Sequence, residues 1–268
     1  DDCVGVLDEC GVCNGPGPTE IVIESITILY DSVYAPQIDE WWVFETGADT
    51  VFNYTCAPYF GDCGLVSHEG YDYSTVLIGD QCWFSENCRY LPEVSPSSEE
   101  SETEPYYYVY GYEGSDVATA KSTSNYATYG VLYNWPAVMT EGICPSGWHI
   151  PSDGEWQTME ISLGMSEAEA ASEGGRGSPV GDYLKSTYGW NQGGNGSNSS
   201  GFNGLPGGYR YSGGFSDNWT YGDFGSWWSA LESGSNLWRR KLESDNDDVG
   251  RNLSFSENLG FSARCVRD

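Results

Sequence analysis

Basic residues are scarce in this 268-residue chain, which has 11 Lys and Arg against 40 Asp and Glu and a net charge of −29. Such an acidic chain repels phosphate groups, so nucleic acids and anionic membrane surfaces are not expected as partners. Residues 1–120 contain one base, Arg89. Two interpretations stay open: solubility in a salty medium, and attraction between the acidic N-terminal part of one copy and the less acidic C-terminal part of the next.

Histidines and long apolar runs are also lacking. His68 and His149 are the only histidines, which gives little support to a catalytic zinc site. No apolar run approaches the ~20 residues of a membrane-spanning helix, so the chain is not expected to span a membrane. The chain starts with Asp1 and shows no signal peptide, so we expect a mature protein, secreted or on the cell surface, whose export signal has been removed.

Cysteine, glycine and aromatic residues are abundant by contrast. Nine cysteines without metal-ligand spacing indicate disulfides and an oxidising compartment. Aromatic residues make up 15% of the chain, and glycine contributes 35 residues. Aromatic side chains suit pleated surfaces and glycine suits turns, so this composition favours β-strands joined by many ordered loops.

Composition divides the chain into three predicted segments, residues 1–17, 18–70 and 71–268. The first is rich in Cys, Asp and Gly, which predicts a small disulfide-stapled loop. Its CGVCNG run resembles the Asp/Cys/Gly repeats, related to thrombospondin type 3 repeats, of exported bacterial proteins; those repeats often bind calcium. A solvated acidic linker end is the alternative. The candidate oxygen donors are Asp1, Asp2, Asp8 and Glu9.

The second segment alternates apolar and polar residues as β-strands do, which predicts three or four strands within residues 19–55. It is short for an independent domain, so we expect it to pack on the next domain or to pair with a neighbouring chain. Four isoleucines are the candidate assembly residues: Ile21, Ile23, Ile26 and Ile28.

Local signals place two helices in the third segment. Ser152 followed three residues later by Glu155 is a capping-box pattern, which predicts a helix that ends near Gly164. A second helix is expected around residues 126–139, where Pro136 would limit or kink it.

Two polar stretches of the third segment predict long loops. Residues 92–105 are rich in Pro, Ser and Glu, and residues 191–201 are rich in Gly, Asn and Ser. Asn-X-Ser/Thr sequons are candidate glycosylation sites, although such sequons also arise by chance in a chain of this composition. They lie at Asn53, Asn195, Asn198, Asn218 and Asn252.

Six motifs follow one another from about Tyr71 to the end of the chain. They are TVLIGDQCWFSEN at 75–87, YGVLYNW at 129–135, CPSGWHIPSDGEW at 144–156, GFNGLPGGYR at 201–210, GSWWS at 225–229 and GFSARCVR at 260–267. In this order they resemble the Fibrobacter succinogenes major paralogous domain family, which is similar in turn to the formylglycine-generating-enzyme-like branch of C-type-lectin folds. The resemblance implies an α+β, C-type-lectin-like domain with two helices, paired terminal strands and long ordered loops.

The resemblance also implies a disulfide between Cys144 and Cys265 that closes most of the domain. Closing so long a loop is worth about 4–5 kcal/mol in the chain-entropy model. The chain departs from the family at Cys82 and Cys88, where the family usually has apolar residues. We predict that these two form a local disulfide.

A further local disulfide is predicted between Cys56 and Cys63, which frame a tight loop. The cysteines that remain are an odd set of three, Cys3, Cys10 and Cys13. One thiol of this set would then be free or bonded elsewhere, which suggests a covalent bond to another chain.

No catalytic constellation stands out, so we do not expect an enzyme. Formylglycine-generating enzymes use a reactive cysteine pair near the C-terminus, where this chain has Cys265 alone. His149 lies in a scaffold motif and His68 in a predicted exposed loop, and no glycosidase carboxylate pair can be singled out. The motifs of calcium-dependent lectins are absent. An acidic cluster could still bind calcium, or else form a solvated loop, through Asp245, Asp247 and Asp248.

Two functional hypotheses remain. The first is a structural or adhesive surface protein that assembles with itself into a polymer or filament, joined by intermolecular pairing of a strand within residues 19–30. The second is a monomeric module of lectin-like fold that binds a polysaccharide or a protein through its long loops. Calcium is the one ion considered, and no other cofactor is expected.

Overall fold

The computed structural model describes residues 20–28, 33–35, 40–42, 48–55, 63–215, 222–230, 237–254 and 256–267. The chain divides into two compact units, Asp1–Tyr59 and Phe60–Asp268. The predicted boundary at residue 70 falls in the turn of a hairpin whose strands pair Val66 with Tyr73, so the hairpin belongs to the second unit. The predicted stapled loop of residues 1–17 lies outside the described residues, as do its donors Asp1, Asp2, Asp8 and Glu9.

The N-terminal unit contains the strands that alternation predicted. They are β1 (Glu20–Ile28), β2 (Val33–Ala35), β3 (Glu40–Trp42) and β4 (Ala48–Thr55). β1 pairs antiparallel with β4, and β2 pairs antiparallel with β3. The β2–β3 pair therefore lies between β1 and β4 along the chain. Among the described residues, β1 and β4 form a sheet of two strands only.

A β-bulge lies in β1, where the register shifts between Ile23 and Ser25. Without it, Ile21 and Ile23 would fall on the opposite face from Ile26 and Ile28, because successive strand positions alternate between the faces of a sheet. With it, the four isoleucine positions stand opposite alternate residues of β4: Tyr54, Phe52, Thr50 and Ala48. The bulge therefore keeps all four positions on one face of the ribbon.

Thirteen short strands lie in the described part of the C-terminal unit. They are β5 (Val66–His68), β6 (Tyr71–Tyr73), β7 (Thr75–Ile78), β8 (Gln81–Phe84), β9 (Tyr107–Tyr108), β10 (Leu132–Tyr133), β11 (Gly174–Arg176), β12 (Arg210–Tyr211), β13 (Gly214–Phe215), β14 (Phe224–Trp228), β15 (Leu237–Glu243), β16 (Val249–Ser254) and β17 (Val266–Arg267).

These strands form antiparallel sheets. The largest has the order β11-β16-β15-β14, and a second has the order β17-β8-β7. Three two-stranded sheets, β5–β6, β9–β10 and β12–β13, complete the set among the described residues of this unit. Because β17 pairs with β8, the end of the chain is tied to the start of the unit, as expected for paired terminal strands. With its helices and antiparallel sheets, the unit is α+β.

Six short helices, rather than the expected two, occur in the part of the chain that the structure describes. They are α1 (Val117–Lys121), α2 (Ser124–Tyr129), α3 (Trp135–Val138), α4 (Asp153–Ser162), α5 (Glu167–Ala171) and α6 (Val180–Leu184). The capping box before α4 is confirmed: the Glu155 amide donates to Ser152 Oγ at 3.1 Å, and the Ser152 amide donates to Glu155 Oε2 at 2.7 Å.

The single helix predicted over residues 126–139 is wrong. Gly130, at φ +72°, ends α2, and a Cβ there would lie 2.6 Å from the Cys88 carbonyl oxygen. β10 follows, and Asn134 then caps α3 by accepting a hydrogen bond from the Ala137 amide at 3.1 Å. Pro136 stands in the first turn of α3, where its missing N–H costs no helical hydrogen bond.

Two hydrophobic clusters form the core, and two strands each contribute neighbouring residues to different clusters. Trp227 packs in one cluster and Trp228 in the other; Trp83 and Phe84 divide in the same way. Side chains of successive strand residues point to opposite faces, so β14 and β8 lie between the two clusters. All four of these side chains are at most 1% exposed.

The Pro/Ser/Glu-rich loop of residues 92–105 is tied to the domain. Asn134 donates to the carbonyl oxygens of Ser101 and Glu104 at 2.9 and 2.8 Å. Buried Arg210 donates to the Ser97 carbonyl oxygen and to Glu100, both at 2.8 Å. The polarity of the loop is visible in its sequence, but these anchors are not, because both donors lie far along the chain.

The disulfide Cys144–Cys265 is present, as the resemblance implied, with its Cα atoms 5.8 Å apart. The predicted local pairs Cys56–Cys63 and Cys82–Cys88 are wrong, because Cys63 bonds to Cys82 instead, with a Cα separation of 5.7 Å. Cys88 packs against the C-terminal segment and is fully buried as a free thiol. Four cysteines lie outside the described residues: Cys3, Cys10, Cys13 and Cys56.

Candidate functional site

Three of the sequence motifs meet at one buried guanidinium. Arg264, which is 0% exposed, donates to Asn87 Oδ1 at 2.9 Å and to the carbonyl oxygens of Phe84 and Phe202 at 2.7 and 2.8 Å. Asn87 Oδ1 also accepts a hydrogen bond from Trp227 Nε1 at 2.9 Å. Burial lowers the pKa of Arg264 to about 9, more than the nearby Cys88 and Glu86 raise it. With Trp227 included, this network joins four segments of the core.

Two carboxylates of α4 form a second enclosed network. Asp153 and Glu160 are seven residues apart, which places them on the same face of the helix. Arg240 lies between them, at 2.7 Å from Asp153 Oδ1 and 2.6 Å from Glu160 Oε1. Arg251 also lies 2.7 Å from Asp153, and Arg176 lies 2.5 Å from Glu160. We call these five residues the α4 ion cluster.

The pKa of Asp153 lies below its ordinary value. Burial alone would raise this pKa, but the hydrogen bonds and positive charges of Arg251 and Arg240 outweigh burial. Asp153 is 5% exposed and Glu160 is 0% exposed. Carboxylates that are enclosed and paired in this way brace the fold, and they are not accessible to a substrate.

Most bases of the chain are inside the C-terminal unit. Of the eleven, seven are buried: Arg89, Arg176, Lys185, Arg210, Arg240, Arg251 and Arg264. Arg239, Lys241 and Arg267 are half-buried, which leaves Lys121 as the one exposed base of the chain. The bases that make the C-terminal part less acidic thus face inward, and head-to-tail attraction between copies stays a prediction.

The first open cleft, which we call the Tyr188 cleft, has a volume of about 360 Å³ and includes Glu86, Arg89, Tyr188 and Asn203 in its lining. Arg89 Nη2 lies 3.1 Å from Glu86 Oε2, and the Tyr71 hydroxyl donates to the same oxygen at 2.6 Å. Tyr188 is 52% exposed. An exposed aromatic ring beside a fixed charge pair is suited to a ligand with both apolar and hydroxyl surfaces.

The second cleft, about 370 Å³ in volume, is lined mainly by residues 138–144 together with Trp148, His149 and Glu155. His149 Nε2 lies 2.5 Å from Glu155 Oε1. Burial would raise the pKa of Glu155, but hydrogen bonds from Ser152 and His149 hold it below its ordinary value. We call this the His149 cleft.

His68, predicted in an exposed loop, is half-buried in β5, and its Nε2 lies 2.6 Å from the Gly142 carbonyl oxygen.

The third cleft, about 440 Å³ in volume, contains the predicted calcium ligands Asp245 and Asp247. Lys185 Nζ lies 2.9 Å from Asp247 Oδ1, so a cation already occupies the position facing that carboxylate. The part of the chain that the structure describes contains no group of three His, Cys, Asp or Glu side chains that could hold a metal ion. The described structure therefore does not group Asp245, Asp247 and Asp248 as metal ligands, and calcium binding there stays a prediction.

A family model described as the Fibrobacter succinogenes major domain matches residues 76–267, more than two thirds of the 268-residue chain. The chain belongs to the Fibrobacter succinogenes major domain family. No curated protein and no solved structure matches the chain. We refer to residues 76–267 as the family domain. It contains both buried networks and the residues named above for the three clefts, apart from His68 and Tyr71.

The sequons have different surroundings. Asn195 is exposed, and its Oδ1 accepts a hydrogen bond from the Trp190 amide at 3.0 Å. Asn198 Oδ1 accepts from the Asn203 amide at 2.7 Å. Asn252 is half-buried in β16. Asn53 lies in β4, and Asn218 lies outside the described residues, so glycosylation stays a prediction at all five.

Sequence patterns did not lead to a prediction of the α4 ion cluster or of the buried Lys185 and Arg210. A signal was present for the cluster: Asp153 and Glu160 are one heptad apart within a predicted helix, and Arg240 and Arg251 lie in stretches with strand-like patterns.

No described helix is long and apolar enough to cross a membrane.

Proposed function

We propose that this chain is a non-enzymatic, extracellular surface protein of structural or adhesive type that assembles into a polymer through β1. The observation that carries the proposal is the β1–β4 ribbon, whose bulge keeps the positions of Ile21, Ile23, Ile26 and Ile28 on one face. A two-stranded ribbon is marginal by itself in water. Among the described residues the nine-residue β1 has one partner strand, which leaves its other edge open to pairing. A second copy of the ribbon could cover the isoleucine face and form backbone hydrogen bonds along the edge of β1.

Other features support parts of this proposal. Two disulfides agree with an oxidising, extracellular setting. Tied terminal strands, the capped α4 and the Cys144–Cys265 bond agree with a C-type-lectin-like fold for the family domain. The enclosed carboxylates of α4 support a scaffold role rather than catalysis.

Paired lysine substitutions test the ribbon. Ile23→Lys with Ile26→Lys places two charges on the isoleucine face, and Ser25→Lys with Thr27→Lys places the same charge on the opposite face. Light scattering and negative-stain electron microscopy of native protein should show polymers for the wild type and the second variant, and monomers for the first. Removal of residues 1–30 should also leave a folded monomer. Wild-type protein that stays monomeric at 29.4 kDa would refute assembly.

Glycan binding at the Tyr188 cleft is the second candidate function, favoured by the exposed ring beside Glu86 and Arg89. The probe is an array of polysaccharide fragments. Saturable binding should be lost in Tyr188→Ala and retained in Tyr211→Ala, because Tyr211 is 42% exposed but does not line the cleft. Equal binding by both variants, or no binding by the wild type, would reject this function.

A further inference from the structure

Three cysteines of the family domain lie side by side in the interior. Cys265 Sγ is bonded to Cys144 and also lies 3.5 Å from the free thiol of Cys88. The backbone holds this arrangement, because the Cys88 amide donates to the Ala263 carbonyl oxygen and the Phe84 amide to the Cys265 carbonyl oxygen, both at 2.9 Å. A thiol is therefore fixed next to a disulfide sulfur.

The two possible partners of Cys265 differ in their access to solvent. Cys88 and Cys265 are 0% exposed, whereas Cys144 is partly exposed and lines the His149 cleft. A thiol at position 144 would be open to reagents that a thiol at position 88 does not meet.

We propose that Cys88 exchanges with the Cys144–Cys265 disulfide and releases Cys144 as a reactive thiol in the His149 cleft. The Cys88 thiol first loses its proton to solvent. The Cys88 thiolate attacks Cys265 Sγ, the Cys88–Cys265 bond forms, the Cys144–Cys265 bond breaks, and its electron pair leaves on Cys144 Sγ. The number of disulfides is unchanged, so the step needs no oxidant or reductant.

Before the exchange the free thiol is Cys88 in the core. After it, the free thiol is Cys144 in the His149 cleft. The released Cys144 thiolate can be alkylated, or can exchange with a small-molecule disulfide or with a disulfide of another chain. Cys144 is therefore a modification site in one of the two disulfide forms and a structural residue in the other.

The surroundings of Cys88 make the exchange slow at neutral pH. The titratable groups that face Cys88 are Arg264, Glu86, Tyr73 and Tyr133. Burial raises the pKa of the Cys88 thiol to about 12, although the charge of Arg264 acts in the opposite direction. Since the thiolate is the nucleophile, the exchange rate should rise about tenfold per pH unit.

Trapping in the native protein tests the proposal. The full chain is incubated with excess iodoacetamide at pH 9 and pH 10, quenched in acid and mapped by mass spectrometry of its disulfide peptides. Both pH values exceed the ordinary thiol pKa of about 8.5, so capture of Cys144 is not the pH-dependent step. We expect alkylated Cys144 together with a Cys88–Cys265 peptide, formed about tenfold faster at pH 10. Alkylation of Cys88 with an intact Cys144–Cys265 bond, or no alkylation of either residue, would overturn the proposal.

Two variants sharpen this test. Cys88→Ser removes the attacking thiol, so Cys144 should stay unlabelled; labelling at the wild-type rate would mean that Cys88 plays no part. Cys144→Ser leaves the thiols of Cys88 and Cys265 side by side. Oxidised glutathione, added as the two-electron oxidant, should convert them to a Cys88–Cys265 disulfide with release of two reduced glutathione molecules. Two free thiols in folded Cys144→Ser would contradict the exchange, and if this variant does not fold, the comparison of wild type with Cys88→Ser decides.

Discussion

The interior and the surface of the family domain carry opposite charge. Seven bases are buried in the described structure, against two carboxylates, Asp153 and Glu160, whereas Lys121 is the only exposed base in a chain with 40 acids. Buried bases are held by hydrogen bonds to carbonyl oxygens or by carboxylates, and surface acids face solvent. The negative net charge thus reflects the acids at the surface of this domain. Most of the charged side chains in its interior are basic.

The largest expected effect comes from breaking the interior. Arg240→Ala leaves Asp153 and Glu160 without their shared partner and should lower the free energy of unfolding by about 3–5 kcal/mol. Lys241→Ala, at the next residue of β15, removes a half-exposed 2.9 Å pair with Glu243 and should cost less than about 1 kcal/mol. Urea unfolding of both variants measures the difference. Equal losses would show that burial does not distinguish these two bases.

A pH series sharpens the comparison on the acidic side of the cluster. The pKa of Asp153 is lowered in the folded protein, so the unfolded state binds more protons as pH falls through 3.8. The stability that Asp153 contributes is therefore present above that pH and is lost below it, at no more than about 1.4 kcal/mol per pH unit. Urea unfolding between pH 2 and pH 6 measures this slope. Asp153→Asn should flatten the slope, and an unchanged slope would assign acid sensitivity to other carboxylates.

The smallest expected effect concerns the surface. Raising NaCl from roughly 0.01 M to 1 M shortens the screening length from about 30 Å to about 3 Å, which weakens repulsion among exposed acids. We expect a modest rise in the melting temperature. Replacing exposed Glu69, Glu104 and Glu173 by Gln should reduce that rise, whereas the penalty of Arg240→Ala should be the same at both salt concentrations. A salt-sensitive Arg240→Ala penalty would mean that solvent reaches the cluster.

Local patterns in the sequence predicted local structure well. Ser152 and Glu155 predicted the start of α4, because both hydrogen bonds of a capping box join residues three apart. Alternation predicted the strands of the N-terminal unit, although the Ile21–Ile28 pattern changes phase in a way that only the bulge explains. The motif resemblance implied Cys144–Cys265 because that pairing belongs to the family scaffold.

Features set by tertiary contacts could not be predicted. Cys82 and Cys88 are close in sequence, but the fold brings Cys63 to Cys82 and Cys88 to Cys265. The predicted calcium ligand Asp247 is neutralised by Lys185, 62 residues away. Neither contact has a counterpart in sequence spacing.

The inward placement of the bases has a consequence for proteolysis. A protease that cuts after lysine or arginine needs an accessible stretch of chain around that residue. Seven of the eleven Lys and Arg residues are buried and three are half-buried. Lys121, at the end of α1, is therefore the one such residue that the folded chain leaves exposed. Digestion by trypsin-like enzymes should therefore begin at a single bond in the native protein and spread only when the domain unfolds.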